Sequence, residues 1–199
     1  PWGNVALAVG QTVRNRFDVS FGLSGNENDV KIQGFYMGGE TPAMDITANI
    51  NRFHLTSLQP ILADQLQKLT GVLTGEIRAR GTTEKPDIDG GLLVKNTKFF
   101  STYLNTNFSI DEETISFIDE GISFNGFEIA DENQNKARLS GAILTRTYRD
   151  FRFNLDLFTD NFRLFNTTAE DNDLFYGKVD IEASARIRGD MTTPVINVD

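Results

Sequence analysis

Carboxylates are the most numerous reactive side chains of this chain, and several of them stand in short runs. The runs are Asp-Glu-Glu at 111–113, Asp-Glu at 119–120 and Glu-Asp-Asn-Asp at 170–173. Such runs could supply a carboxylate pair for hydrolysis or a loop for calcium. A calcium loop also needs a central glycine and a distal glutamate, which these runs lack. Because Asp and Asn favour turns, the runs are predicted to be solvated turns.

Nucleophilic and transition-metal chemistry has little support in the sequence. The chain has a single histidine, His54, and no cysteine, so thiolate catalysis and thiolate metal sites are excluded. No Gly-x-Ser-x-Gly motif is present, and the glycine pairs 38–39 and 90–91 lack the context of a phosphate loop. We therefore predict a protein that is not an enzyme and that uses no cofactor and no metal.

The charge and the aromatic content of the chain indicate which kinds of molecule it is expected to bind. The net charge is -9, and the 19 Lys and Arg residues are scattered, whereas a nucleic-acid surface needs a basic stripe. Nucleic acid is therefore not expected as a partner. The 16 Phe against 4 Tyr and 1 Trp favour dry apolar surfaces over the Tyr- and Trp-rich surfaces that bind carbohydrates or proteins.

Alternation of apolar and polar residues recurs along the chain and predicts β-strands with one apolar face. Turn-forming Gly, Asn and Asp residues separate these segments, for example at 25–29 and 131–135. The fold class is therefore all-β, an antiparallel meander with one wet face. The clearest alternating segments are 17–23, 44–50, 151–157 and 179–187, with shorter ones at 30–32, 92–94, 122–124, 127–129 and 139–143.

One segment, near 57–70, is predicted to be a short α-helix because five leucine and isoleucine residues follow helical spacing there. Ser57 is the expected N-cap, Pro60 lies in the first turn, and Gly71 is the expected end.

The chain also repeats itself. Arg-Ala-Arg-Gly at 78–81 returns as Arg-Ile-Arg-Gly at 186–189, an offset of 108. Other matches keep the same order at similar offsets, which predicts two repeats of about 107 residues at 30–137 and 138–199, the second incomplete. Stacked repeats imply an elongated architecture. We expect residues 1–199 to be one continuous segment excised from a longer protein, since the chain opens without Met.

The motifs in these repeats resemble those of a known family. The runs 55–62, 69–77 and 86–90, with Gly81 between them, are similar to the C-terminal conserved region of TamB, the translocation and assembly module protein of the AsmA-like group. The second copy, with Phe-Tyr-Gly at 175–177 and the run 189–194, resembles Bacteroidetes-type members.

The resemblance implies a fold and a cellular role. It implies a long sheet curled into an open trough, or β-taco, in the periplasm, bridging the inner and outer membranes of a Gram-negative bacterium. It also implies an inner-membrane anchor outside this segment, an Omp85-type outer-membrane barrel as partner of the full-length protein, and a role in outer-membrane biogenesis.

The apolar face is the candidate functional site. We predict that it is an open groove that shields phospholipid acyl chains during transport between membranes. Two alternatives remain open: assembly of outer-membrane β-barrel proteins by strand templating, and a carbohydrate-binding or adhesin-like closed β-sandwich. The candidate groove residues lie mid-strand on the apolar phase: Ile46, Ile50, Ile77, Phe117, Phe124, Leu139, Phe153, Leu157 and Ile181.

Overall fold

A computed structural model describes residues 3–168, 170 and 176–199. It consists almost entirely of strands, with one short helical segment. The strands are β1 (Asn4–Val13), β2 (Arg16–Gly25), β3 (Asn28–Met37), β4 (Ala43–His54), β5 (Leu66–Thr82), β6 (Pro86–Ser101), β7 (Thr106–Ile118), β8 (Gly121–Ala130), β9 (Lys136–Leu144), β10 (Arg152–Thr167), β11 (Gly177–Asp190) and β12 (Pro194–Val198).

All twelve strands form one antiparallel sheet in which each strand pairs with its neighbours in sequence, in the order β1 to β12. The sheet is open and does not close on itself, which confirms the predicted curved antiparallel sheet. No second sheet covers it in the described part of the chain, so the closed sandwich does not form. We call the end of the sheet where β4 begins the upper end and the end where β4 finishes the lower end.

The helix lies where it was predicted but is shorter than expected. A 3-10 turn at Leu55–Leu58 leads into the α-helix α1 at Gln59–Leu62. The prediction was wrong beyond that point, because Leu66 already begins β5 and pairs with Ser101. Ser57 does not cap the helix, because the N-cap of the 3-10 turn is His54 and that of α1 is Leu58, and neither makes a side-chain capping hydrogen bond. Strand pairing therefore outweighed the helical spacing of the leucines.

Two of the three acidic runs are described well enough to compare with their predicted places. The run 119–120 forms the turn between β7 and β8, as predicted. The run 111–113 is not a turn but lies inside β7, where Glu112 is directly opposite Lys95 and its carboxylate lies 3.1 Å from the Lys95 ammonium. The exposed Glu112 is tolerated there because a cross-strand cation faces it. In the run 170–173, residues 171–173 lie outside the described residues.

Glycines allow β5 and β6 to approach more closely than side chains would permit. Gly75 has φ +143°, and a Cβ at this position would stand 2.1 Å from the carbonyl oxygen of Gly91. Gly90 has φ +132°, and its Cβ would stand 2.1 Å from the carbonyl oxygen of Glu76. L-residues rarely adopt such φ values, so both positions require glycine.

The pairing between β7 and β8 is interrupted, and we call this interruption the seam. At the lower end Ser109 pairs with Ala130, and at the upper end residues 115–118 pair with 124–121. Between them, 110–114 and 125–129, all within the described chain, have no direct partner across the seam. The seam divides the sheet into a first half, β1–β7, and a second half, β8–β12.

Two clusters of buried apolar side chains form the core, and each takes residues from both halves. The seam cluster is Val94, Ile110 and Phe127. The latch cluster is Phe108, Ala137 and Phe162. Within the latch cluster, the rings of Phe108 and Phe162 stack with their centroids 5.7 Å apart. The two halves are therefore packed against each other near the seam and at the lower ends of β7 and β10.

Candidate functional site

Two apolar rows cross the whole sheet on one face, and their residues are aligned by direct strand pairing. Directly paired residues of antiparallel strands have side chains on the same face. The upper row is Leu7, Phe21, Ile32, Ala48, Ile77, Gly90, Phe117, Ile122, Ile143, Phe153, Gly189 and Pro194. The lower row is Val5, Leu23, Val30, Ile50, Gly75, Leu92, Ile115, Phe124, Gly141, Leu155, Ile187 and Ile196.

No polar or charged side chain interrupts either row. At about 4.8 Å between neighbouring strands, eleven steps give each row a length of about 50 Å along the sheet. The rows lie two residues apart on each strand, which separates them by about 6.5–7 Å. The apolar face is therefore a continuous band that runs across the strands rather than a compact patch.

The band is only partly covered. Most of its side chains are half-buried, and the residues on the edge strands are largely exposed, with Leu7 at 68% and Ile196 at 60%. An apolar surface of this extent is unusual for a soluble protein unless something binds to it. We call this partly covered band, which crosses both halves of the sheet, the trough.

All nine candidate residues lie on this face, and all nine are half-buried. Three belong to the upper row and two to the lower row, while the others occupy neighbouring positions of the same phase. Phe124 and Leu139 pack against the seam cluster, and Leu157 and Ile181 pack against the latch cluster. The pairing thus brings the candidates together on one surface, and a role in holding lipid remains a prediction for each of them.

The opposite face carries cross-strand ion pairs and faces water. The Arg78 guanidinium reaches Asp45 at 2.7 and 2.9 Å, and its hydrogen bonds lower the pKa of that carboxyl group below its ordinary value. Lys136 and Arg138 lower the pKa of Glu128 in the same way. The sheet therefore has one charged face and one apolar face, as the alternation in the sequence requires.

A polar network at the lower end fixes the turn between β8 and β9 to β10. Asp131 is almost fully buried, and its carboxylate accepts hydrogen bonds from the backbone N–H groups of Asn133, Asn135 and Arg163 at 2.7–2.9 Å. The buried guanidinium of Arg163 donates to Asp180, which lowers the pKa of Asp180. Sequence reasoning identified the turn but did not identify this network.

A second set of contacts at the lower end joins the two halves directly. The N–H of Asn166 in β10 donates to the carbonyl oxygen of Leu104 at 3.0 Å, and the Asn105 amide donates to the carbonyl oxygen of Asn166 at 2.9 Å. Together with the stacked rings of Phe108 and Phe162, these contacts form what we call the latch. They were not predicted from the sequence, because they join residues more than 50 positions apart.

The residues first considered for chemistry are dispersed. The Nε2 of His54 lies 3.1 Å from the Glu27 carboxylate at the end of β4. Among the described residues, no group of three or more His, Asp or Glu side chains could hold a metal ion. No helix in the described part of the chain has the length and apolarity needed to cross a bilayer.

The resemblance implied an open trough on a single antiparallel sheet, and the sheet is single and open. Comparison with known families tests the resemblance itself. Residues 125–199 match the model of one family, described as the TamB C-terminal domain. The TamB resemblance is confirmed. The matched residues cover β9 to β12 and most of β8 and include the second of the two predicted repeats.

The matched domain indicates a general cellular role for its family. That family acts in envelope biogenesis, in transport and assembly, and is not known for enzymes. No curated protein and no solved structure matches the chain. The first-copy motifs at 55–90 lie outside the matched region, and the division into two repeats and the Bacteroidetes-type likeness remain predictions.

Proposed function

We propose that this TamB-family segment shields phospholipid acyl chains in its trough during transport between the inner and outer membranes. The observation that carries the proposal is the pair of apolar rows, each of which crosses all twelve strands without a polar side chain. Lipid transport needs such continuity, because a single polar interruption would expose part of a moving acyl chain to water or to a desolvated polar group.

The energetics favour a continuous surface. Each CH₂ group exposed to water costs about 0.8 kcal/mol, so two acyl chains of about sixteen carbons cost more than about 20 kcal/mol. An apolar trough removes most of this cost and leaves the headgroup in water at its rim. No catalytic group is required for this function.

The proposed setting is the periplasm of a Gram-negative bacterium, in a protein whose inner-membrane anchor lies outside this segment. An Omp85-type outer-membrane barrel is the proposed partner of the full-length protein. These proposals rest on the family match, and nucleic acid has no place among the partners, since no basic stripe is present in the sequence.

The test compares two substitutions on adjacent residues of β10 that face opposite sides of the sheet. Phe153 lies in the upper row and belongs to neither core cluster, whereas Asn154 faces water. Each protein is purified from cells, and the lipids extracted from it are measured by mass spectrometry. We expect wild type and Asn154→Glu to carry phospholipid, and Phe153→Glu to carry at least about fivefold less because it places a charge on the apolar row. Equal lipid content in the two variants would exclude the trough as the binding surface.

A second function, assembly of barrel proteins by strand templating, is supported by the edge strand β1. None of its ten residues is charged, and edge strands that avoid pairing usually carry charges or proline. An added strand with alternating apolar residues would extend both rows. Cross-linking of β1 to a barrel-strand peptide, blocked by Leu7→Lys, is the expected result if this function operates, and equal cross-linking of the variant would exclude it.

A further inference from the structure

The seam is the longest interruption of strand pairing in the described sheet, and it separates the two halves. Elsewhere in the described sheet, no ladder skips more than two consecutive residues of a strand, whereas the seam skips five on each strand. The pairing has the same register below and above the gap, because the gap between the Ser109–Ala130 pair and the Ile115–Phe124 pair skips five residues on each strand. The gap is therefore a local separation of the strands and not a slip in register.

Such a gap makes it easier for the sheet to bend about an axis parallel to β7 and β8. Backbone hydrogen bonds across a ladder hold neighbouring strands at a fixed distance and angle, and regions with fewer of them open at lower free energy. Gly126, with φ +68°, lies in the gap and adds a bulge in β8 between Phe124 and Phe127. A ladder paired only at its two ends has the geometry of a hinge, with its axis along β7 and β8.

The latch lies where it would hold this hinge closed. It joins the turn before β7 to the end of β10, so the two halves are connected at the seam and again two strands beyond it. Between these points the seam and latch clusters fill the space at the lower end. Rotation about the seam would separate Phe108 from Phe162 and widen the space between the two halves.

We propose that the trough opens and closes by rotation of its two halves about the seam, with the latch holding the closed state. This inference rests on the proposed function, because it makes opening the step through which an acyl chain enters or leaves. The latch consists of only two neutral hydrogen bonds and one aromatic pair. Because these contacts are weak, opening of the closed state is reversible.

The experiment locks the latch with a disulfide in a chain that has no natural cysteine. Asn105→Cys with Asn166→Cys joins the halves, because the Asn105 side chain already contacts the Asn166 backbone. The control, Ala142→Cys with Asn154→Cys, joins two directly paired residues of β9 and β10 within the second half. Each variant is measured oxidised and reduced, so that its own reduced form controls for effects of the substitutions on folding.

Two measurements decide the outcome. The first is exchange of bound fluorescent phospholipid with phosphatidylglycerol vesicles, which we expect to slow by about tenfold or more in the oxidised latch variant and to be unchanged in the control. The second is hydrogen exchange at 110–114 and 125–129, which we expect to slow in the oxidised latch variant alone.

The results separate this inference from the proposed function. Unchanged hydrogen exchange at the seam after locking would overturn the hinge. Slower hydrogen exchange with unchanged lipid exchange would overturn the link between opening and lipid movement. If the reduced proteins carry no lipid, the proposed function fails, and the hydrogen exchange still decides whether the seam is a hinge.

Discussion

Replacement of Gly75 by alanine tests whether close approach of β5 and β6 is required for the trough. The new methyl carbon would stand 2.1 Å from the Gly91 carbonyl oxygen, about 1 Å closer than real Cβ contacts allow. The strands must separate by about that distance, or the backbone must change its φ from +143°. Either change disturbs the pairing of β5 with β6, to which both the upper and the lower row contribute residues.

The expected magnitude follows from two contributions. A residue held in a glycine-only conformation costs about 1–3 kcal/mol. Weakening one or two ladder hydrogen bonds adds about 1–2 kcal/mol. The free energy of unfolding should therefore fall by about 2–5 kcal/mol, a large part of the total of about 5–15 kcal/mol for a typical domain.

The matched control is Gly22→Ala in β2. Gly22 has an ordinary φ, and a Cβ there would meet no atom within 4 Å. Alanine is favoured over glycine inside a strand by about 0.5–1 kcal/mol, so this variant should be as stable as wild type or slightly more stable. Urea unfolding followed by far-ultraviolet circular dichroism compares the two variants. With an m value of about 2 kcal/mol/M, the midpoint of Gly75→Ala should be about 1–2.5 M below that of wild type. Equal midpoints for the two alanine variants would refute the steric argument.

Three further predictions concern the lower end, the helix and the last turn. Phe162→Ala should lower the free energy of unfolding by about 3–5 kcal/mol in the same urea assay, because it leaves a cavity in the latch cluster. Gln59→Ala should cost about 1–3 kcal/mol by differential scanning calorimetry, since the Gln59 side chain donates to the Leu66 carbonyl oxygen and accepts from the Leu69 N–H, both at 2.8 Å. Hydrogen bonds from Thr192 lower the pKa of Asp190 to about 2, so the stability this carboxylate contributes should be present above about pH 4 and be lost as the pH falls through 2. NMR titration of the Asp190 carboxyl group checks this, and a midpoint near 3.8 would contradict it.

Alternation in the sequence was sufficient to predict most of the sheet, but not β1, β12, the start of β5 or the acidic part of β7. Strands β2, β4, β10 and β11 have clear period-two patterns, and the structure places strands there. In β5 the leucines fit helical spacing, and only the pairing of Leu66 with Ser101 decides between the two structures. In β7 the acidic run resembles a turn until the cross-strand Lys95 is known.

The sequence was sufficient to predict which side of each strand is apolar, but not how the apolar residues of different strands align. Period-two spacing assigns Ile77 and Phe153 to the apolar side of their strands without any knowledge of pairing. Their alignment in one row depends on register, which the bulges in β8 and β10 set. The seam and the latch depend on contacts between distant residues, for example Phe108 with Phe162, and no local pattern encodes such contacts.

The strictly sequential strand order has a consequence for how such a protein can change in length. Since each strand contacts mainly its neighbours in sequence, inserting or deleting one hairpin leaves every other pairing intact. Each hairpin alters the distance from β1 to β12 by about 9.6 Å along the sheet. Descendants of one ancestral gene could therefore span compartments of different width by gaining or losing hairpins, without inventing a new fold.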